Sequence, residues 1–459
     1  MPKQNVRIIT LGCAKNEVDA EEIAGVLAEA GYDLDGAADA SDVTIINTCG
    51  FLEAAKRESI ETIKEAIRDK KAGKTGRVIV AGCLAQRLGS DLERLAPGAD
   101  SYVGVGQMAR FADILDKPAV VSRQSAVAPP QHLWADVPTR ARTGAPWSAY
   151  LKVSEGCDHR CTFCTIPSFR GGHASKPIER VVAEARHLAK TGAREINLIA
   201  QDVTQYGYDL YREFTMPRLM RELSEVDVDW IRLLYCYPNR LTDEVIDTMA
   251  SLPKVCNYID VPLQHVHPDV LRAMKRPWDG ERYLLVFEKL RKAMPDAAIR
   301  TTFIVGFPGE TEEHFESLLD FLQEARLDRV GAFMFSREPG TPSYDMANQV
   351  PERIKKERYN RLMVAQQAIS LSVNRSWIGR KLPVLIEGHT PDGWSVGRSH
   401  RDAPEIDGLV YVGGKLLPGS MAETIITDAA EYDLYAAPAG KSNKTRLMPL
   451  RQAAPAAAR

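Results

Sequence analysis

The stretch Ala149-Tyr-Leu-Lys-Val-Ser-Glu-Gly-Cys157-Asp-His-Arg-Cys161-Thr-Phe-Cys164 joins an apolar, strand-like run to a loop carrying three cysteines at CxxxCxxC spacing. Three soft thiolates on one loop suit iron in a cuboidal cluster, and three ligands for four irons leave one iron open to a substrate. The alternative is a zinc knuckle, which needs a fourth Cys or His at regular spacing; His159 is the nearby candidate. Phe163, between the second and third cysteines, reads as an apolar shield.

Working outward, Ala149–Val153 is the first of six candidate strands, followed by Glu195–Ala200, Trp230–Tyr235, Tyr258–Val261, Ile299–Val305 and Val330–Phe335 with helical intervals. Six strand-helix repeats fit an incomplete or closed parallel barrel, with an open doubly wound sheet as the alternative. Upstream, the β-branched runs Val6–Thr10, Val43–Ile46 and Val78–Ala81 alternate with amphipathic helices over Glu17–Ala30 and Ala54–Ile67. Each of these three strands is followed at once by a cysteine: Cys13, Cys49 and Cys83. If the strands are parallel neighbours, their carboxyl ends open on one edge, where ligands of α/β sheets bind, and the three thiols converge. The alternative is three buried structural cysteines. Cys236 and Cys256 have no such partners and read as small core residues. Downstream, Leu382–Glu387, Trp394–Arg398, Gly408–Val412 and Met421–Asp428 are short strands spaced by turn residues, as in a small antiparallel barrel.

The expected organisation is therefore an α/β chain. It has an N-terminal parallel-sheet domain over 5–116, a linker over 117–146 and a barrel core over 147–375. A small β-barrel over 376–441 and a low-complexity, disordered tail over 442–459 complete it. With 59 Lys and Arg against 61 Asp and Glu in 459 residues, a generally basic nucleic-acid coat is excluded. No window reaches the roughly 18 apolar residues of a membrane-spanning helix, and Met1–Thr10 lacks a signal-peptide core, so the cytoplasm is the expected compartment. There, eight cysteines call for metal or redox chemistry rather than disulfides.

Further candidates lie at strand ends. Gln201 and Asp202 close the second barrel strand at the face where barrel sites form, although a helix cap would also use Asp202. Thr302 and Gly306 lie on a strand running into a Gly-Pro turn, and His265 is expected to face the barrel mouth. Arg170, in the segment closing the cysteine loop, reads either as a neutraliser of an anionic group or as a solvated arginine.

The CxxxCxxC spacing resembles that of the radical S-adenosylmethionine superfamily. Two cysteine triads, a barrel and a small β-barrel together resemble the methylthiotransferase family across roughly Asn5 to Lys441. Gly12–Asn16, Asn47–Phe51, Cys164–Ser168, Leu198–Asp202, Pro262–His265 and Gly397–Ser399 are similar to its RimO branch. Departures are Ala14, where proline is common, and Thr165, where a β-branched aliphatic is usual. The resemblance implies two 4Fe-4S clusters, one on Cys157, Cys161 and Cys164 and one on Cys13, Cys49 and Cys83, and a TRAM-like terminal barrel. S-adenosylmethionine would be cleaved at the open iron to a radical, with Gln201, Asp202, Thr302 and Gly306 contacting that cofactor. The radical removes a hydrogen from the β-carbon of an aspartate in a small-subunit ribosomal protein, the twelfth, free or in the subunit. A second S-adenosylmethionine supplies the methyl of the inserted methylthio group, and flavodoxin or ferredoxin supplies electrons. No catalytic residue beyond the clusters is assigned. The rivals are a methylthiotransferase acting on tRNA adenosine and a two-cluster electron carrier without catalysis; ferredoxins, however, use four closely spaced ligands per cluster. The terminal barrel carries six basic against nine acidic side chains between Ser376 and Lys441, which suits a basic protein better than RNA phosphates.

Overall fold

A computed structural model describes residues 4–34, 40–116 and 140–440. The chain divides into two compact units, Met1–Gln366 and Gln367–Arg459. The tail expected over 442–459 and most of the linker expected over 117–146 lie outside the described residues.

In the first unit, β1 (Val6–Thr10), β2 (Ser41–Thr48), β3 (Thr75–Gly82) and β4 (Ser101–Val103) form a parallel sheet in that order. Successive strand residues face opposite sides. Val43, Ile45, Ile79 and Ala81 pack with Ile23 and Leu27 of α1 (Ala14–Glu29) and with Phe111. Ile46, Val78 and Val80 pack on the other face with Ile63 and Ile67 of α2 (Glu53–Lys71) and Leu84 of α3 (Cys83–Leu88). Burial on both faces is why these strands read as unbroken apolar runs rather than alternating ones. The short β4 is an addition to the sequence reading.

A second parallel sheet follows: β5 (Ser148–Lys152), β8 (Glu195–Ile199), β9 (Trp230–Leu233), β10 (Val255–Asp260), β11 (Ala298–Val305) and β12 (Arg329–Met334), neighbours in that order. Among the described residues β12 does not pair with β5, so the barrel is incomplete rather than closed. The one-directional strand order excludes a doubly wound sheet. A two-residue hairpin, β6 (Ser154–Glu155) with β7 (Ala174–Ser175), intervenes after β5. It forms the neck of the cysteine loop. Within the segment expected to be linker, Arg140 is instead buried between Glu21 of α1 at 2.6 Å and Glu184 at 2.9 Å.

In the second unit, β13 (Lys381–His389), β14 (Ser395–Ser399), β15 (Val410–Val412), β16 (Met421–Ala429) and β17 (Leu434–Pro438) close a five-stranded barrel around Leu382, Val384, Ile386, Val410 and Ile426. The fifth strand, β17, was not evident in the sequence.

Candidate functional site

The register Thr10↔Asn47 and Thr48↔Gly82 brings the carboxyl ends of β1, β2 and β3 level, with Cys13, Cys49 and Cys83 just beyond them. Gly12 has φ +100°, and a Cβ there would lie 2.7 Å from Cys49 Cβ and 3.0 Å from its Sγ, so only glycine lets the Cys13 turn close on Cys49. Asn16 ties the three loops together. Its Nδ2 donates to Leu11 O at 2.7 Å and Thr48 O at 3.1 Å, while its Oδ1 lies 3.7 Å from Cys83 Sγ.

Arg170 reaches this edge from the barrel, and the solvated alternative is thereby excluded: it is 2% exposed. Nε and Nη2 lie 3.3 and 3.1 Å from Cys83 Sγ, Nη1 donates to both Glu155 oxygens, and Nη2 donates to Asn16 Oδ1 at 2.9 Å and Asp19 Oδ2 at 3.1 Å. Lys152 pairs with Asp19 and, at 3.1 Å, with Glu155. Burial opposes the Arg170 charge, but Cys83, Glu155 and Asp19 hold its pKa well above the ordinary arginine value. Burial likewise pushes the Cys83 thiol up to about 12, against the pull of Arg170.

The second triad is local. Gly156 (φ +68°) sits where a Cβ would meet Gly172 O at 2.0 Å, and Cys157 N donates to Gly171 O at 3.0 Å, so the loop is pinched at its base. His159 stacks on Tyr237 at 3.6 Å and shares a hydrogen bond of 2.7 Å with Asp202 Oδ2. Arg276 lies 4.1 Å over the same Tyr237 ring and places Nη1 3.9 Å from Cys161 Sγ. Phe163 packs against Phe307 and Phe335, as a shield should. Burial raises the Cys157 and Cys164 thiols to about 12. Such thiols stay protonated near neutrality unless a metal displaces the proton.

The donor set discriminates between metals. A single tetrahedral zinc with Zn–S bonds of about 2.3 Å needs sulfurs roughly 3.8 Å apart. Among the described residues, His267, Asp269 and His314 are the sole His, Cys, Asp or Glu group whose ligand atoms all lie within 4.8 Å of one another; neither cysteine triad qualifies. The triads are too open for mononuclear zinc, and His159 is committed to Asp202. A cubane takes its three thiolates on three separate irons, and an all-thiolate donor set is the chemistry such a cluster uses. In the His267 group, each Nδ1 already accepts a backbone N–H, from Asp269 and Thr311 respectively.

The remaining expectations divide. Asp202 Oδ1 caps the turn after β8 through Thr204 N at 2.9 Å while Oδ2 holds His159, so it is both cap and loop anchor. Gln201 has both side-chain polar atoms buried without a partner among the described residues, a free amide at the carboxyl end of β8. Thr302 is half-buried on β11, and Gly306 donates its N–H to Glu310 Oε2 at 2.9 Å with the Lys355 side chain filling the space a Cβ would take. His265 does not line the mouth. Strand β10 stops at Asp260, Gln264 turns the chain at φ +75°, and His265 is fully buried, with Nδ1 accepting His267 N–H. Cys236 and Cys256 are buried, as expected of core residues. The residues the sequence left unassigned are Lys15, Asp19, Glu155, Tyr237 and Arg276, whose neighbours are remote in the chain.

Family models match the chain in three parts: the Radical SAM superfamily over 151–322, Uncharacterized protein family UPF0004 over 5–104 and the TRAM domain over 378–438. A curated relative from Synechococcus sp. strain JA-2-3B'a(2-13), "Ribosomal protein uS12 methylthiotransferase RimO", is 46% identical over 96% of this chain and 93% of its own length. One of the same name from Moorella thermoacetica is 47% identical over 94% and 98%. The chain belongs to the RimO family. It is a radical S-adenosylmethionine methylthiotransferase, and that superfamily carries a 4Fe-4S cluster and S-adenosylmethionine. Among solved structures, the radical S-adenosylmethionine methyltransferase TsrM from Kitasatospora setae shares the fold of this RimO-family chain, with TM-score 0.56 and 15% identity over 74% of this chain and 75% of that one. No helix among the described residues is long and apolar enough to cross a membrane.

Proposed function

We propose that Cys157, Cys161 and Cys164 hold the 4Fe-4S cluster that meets S-adenosylmethionine, that Cys13, Cys49 and Cys83 hold a second, and that the enzyme methylthiolates the β-carbon of an aspartate in ribosomal protein uS12. The observation carrying this reading is Arg170, which leaves the segment closing the cysteine loop and reaches Cys83, so one buried ion network joins the neck of that loop at Glu155 to the amino-terminal triad. When bound, the clusters supply the electron that cleaves S-adenosylmethionine and the sulfur that replaces an unactivated hydrogen. The chain's own residues do the rest. Arg170 and Arg276 compensate thiolate charge at Cys83 and Cys161, and a charge-assisted bond of this kind is stronger than a neutral one. Asp202 and Tyr237 fix the ring of His159, and Phe163, Phe307 and Phe335 keep water from one side of the loop. Gln201 and Thr302 offer polar contacts for the cofactor, whereas the Gly306 N–H is spent on Glu310.

A protein substrate is supported by the terminal barrel. Two of its arginines are not surface charges: Arg398 is buried on Glu387 at 2.6 Å, and Arg401 is buried over Trp377 at 4.0 Å. Arg380, Lys381 and Lys415 remain as its exposed cations among the described residues, too few to neutralise an RNA backbone. A cytoplasmic reductant of the flavodoxin or ferredoxin type completes the reading. The test is reconstituted enzyme with S-adenosylmethionine and reductant, offered either a peptide carrying the uS12 target aspartate or tRNA. The peptide gains the methylthio group and the tRNA does not; thiolated tRNA with an unchanged peptide would overturn the assignment.

A further inference from the structure

Lys15 is 8% exposed, yet among the described residues its ammonium has neither a hydrogen bond nor an ion pair. Its partner is an aromatic face: Nζ stands 3.8 Å from the centroid of Tyr235. Tyr235 follows the end of β9 and holds φ +64°, a left-handed conformation that non-glycine residues adopt only under constraint. Lys15 itself opens α1, two residues past Cys13. The cation therefore stands where the amino-terminal sheet edge meets the carboxyl edge of the barrel.

Burial disfavours the Lys15 charge, and Cys13, Glu155 and Asp260 favour it, but the two carboxylates are engaged elsewhere. Asp260 accepts Arg300 Nη1 at 2.8 Å on one oxygen and Tyr235 N–H at 3.0 Å on the other. Glu155 is held by Arg170 and Lys152. A desolvated ammonium whose nearby carboxylates are held by other partners is costly, and a carboxylate arriving from outside is the group that relieves the cost. Resting on the proposed ribosomal substrate, the chemistry of the incoming group is set: an aspartate bears its carboxylate on the very carbon that reacts.

We propose that Lys15 receives the side-chain carboxylate of the target aspartate and, by pairing with it, presents the adjacent β-carbon between the two thiol triads. Tyr235 holds the ammonium in place while the site is empty. A neutral nucleobase offers no such partner, so the same lysine selects an aspartate over an adenosine.

The test compares reconstituted wild-type enzyme with Lys15→Met and Lys15→Arg, each verified to hold wild-type iron and sulfide per chain. Affinity is read by fluorescence anisotropy for two peptides that differ only in Asp or Asn at the target position. Wild type favours the Asp peptide by at least about tenfold, as one charge-assisted hydrogen bond predicts. Lys15→Met abolishes that preference by weakening the Asp peptide alone, and Lys15→Arg retains part of it. A Lys15→Met enzyme that keeps the preference, or that weakens both peptides equally, overturns the assignment and leaves the ribosomal reading standing. Wild type that binds neither peptide overturns the ribosomal reading, and the role of Lys15 with it.

Discussion

The two cysteine triads of this molecule are built in opposite ways. Cys157, Cys161 and Cys164 lie within eight residues on a loop pinched at its neck by β6 and β7, so local backbone geometry presents them. Cys13, Cys49 and Cys83 are aligned by strand register across a sheet and tied by one asparagine, and Cys83 is met by an arginine from the segment that closes the other triad's loop. A loop site depends on its own few residues. A sheet-edge site depends on the packing of everything that fixes the register and the docking.

That contrast can be broken at graded strength. Cys161→Ala removes cofactor cleavage altogether, measured as 5′-deoxyadenosine released; retained cleavage would refute its role. Cys49→Ala leaves cleavage intact and eliminates methylthio transfer, and full product from this variant would sink the second centre. Arg170→Met leaves Asp19 and Glu155 short of a buried cation, a loss worth about 3–5 kcal/mol in comparable networks. Its melting temperature falls, and iron is lost from the amino-terminal triad while the loop triad keeps its share; a uniform loss from both would show that the two are not built differently. Arg276→Gln removes a cation 3.9 Å from Cys161 Sγ together with its hydrogen bond to Pro262 O and its place over Tyr237, so the expected outcome is a lowered potential of the barrel centre with iron content unchanged, read by redox titration.

The same contrast explains what the sequence discloses. The loop triad is legible at sight because its spacing is local. The sheet triad is legible because each cysteine follows a strand of like texture, and parallel neighbours end on one edge. The charge network is not legible, since Arg170 lies 151 residues from Asp19 and 87 from Cys83. Lys15, two residues past a cysteine at a helix start, carries no local sign that it lies over Tyr235, which is 220 residues away. Strand β17, Leu434-Tyr-Ala-Ala-Pro438, carries alanine and proline where β-branched residues would announce a strand, and barrel closure overrides that weak propensity. His265 is misplaced by the sequence because nothing in Pro262-Leu-Gln-His265 reveals that Gln264 turns the chain into the core.

Iron and acid-labile sulfide per chain after anaerobic reconstitution test the central claim most directly. Two cubanes predict about eight of each in the wild type and about four when Cys13, Cys49 and Cys83 are all replaced by alanine. A wild-type value of about four, unchanged in that triple variant, would contradict the account.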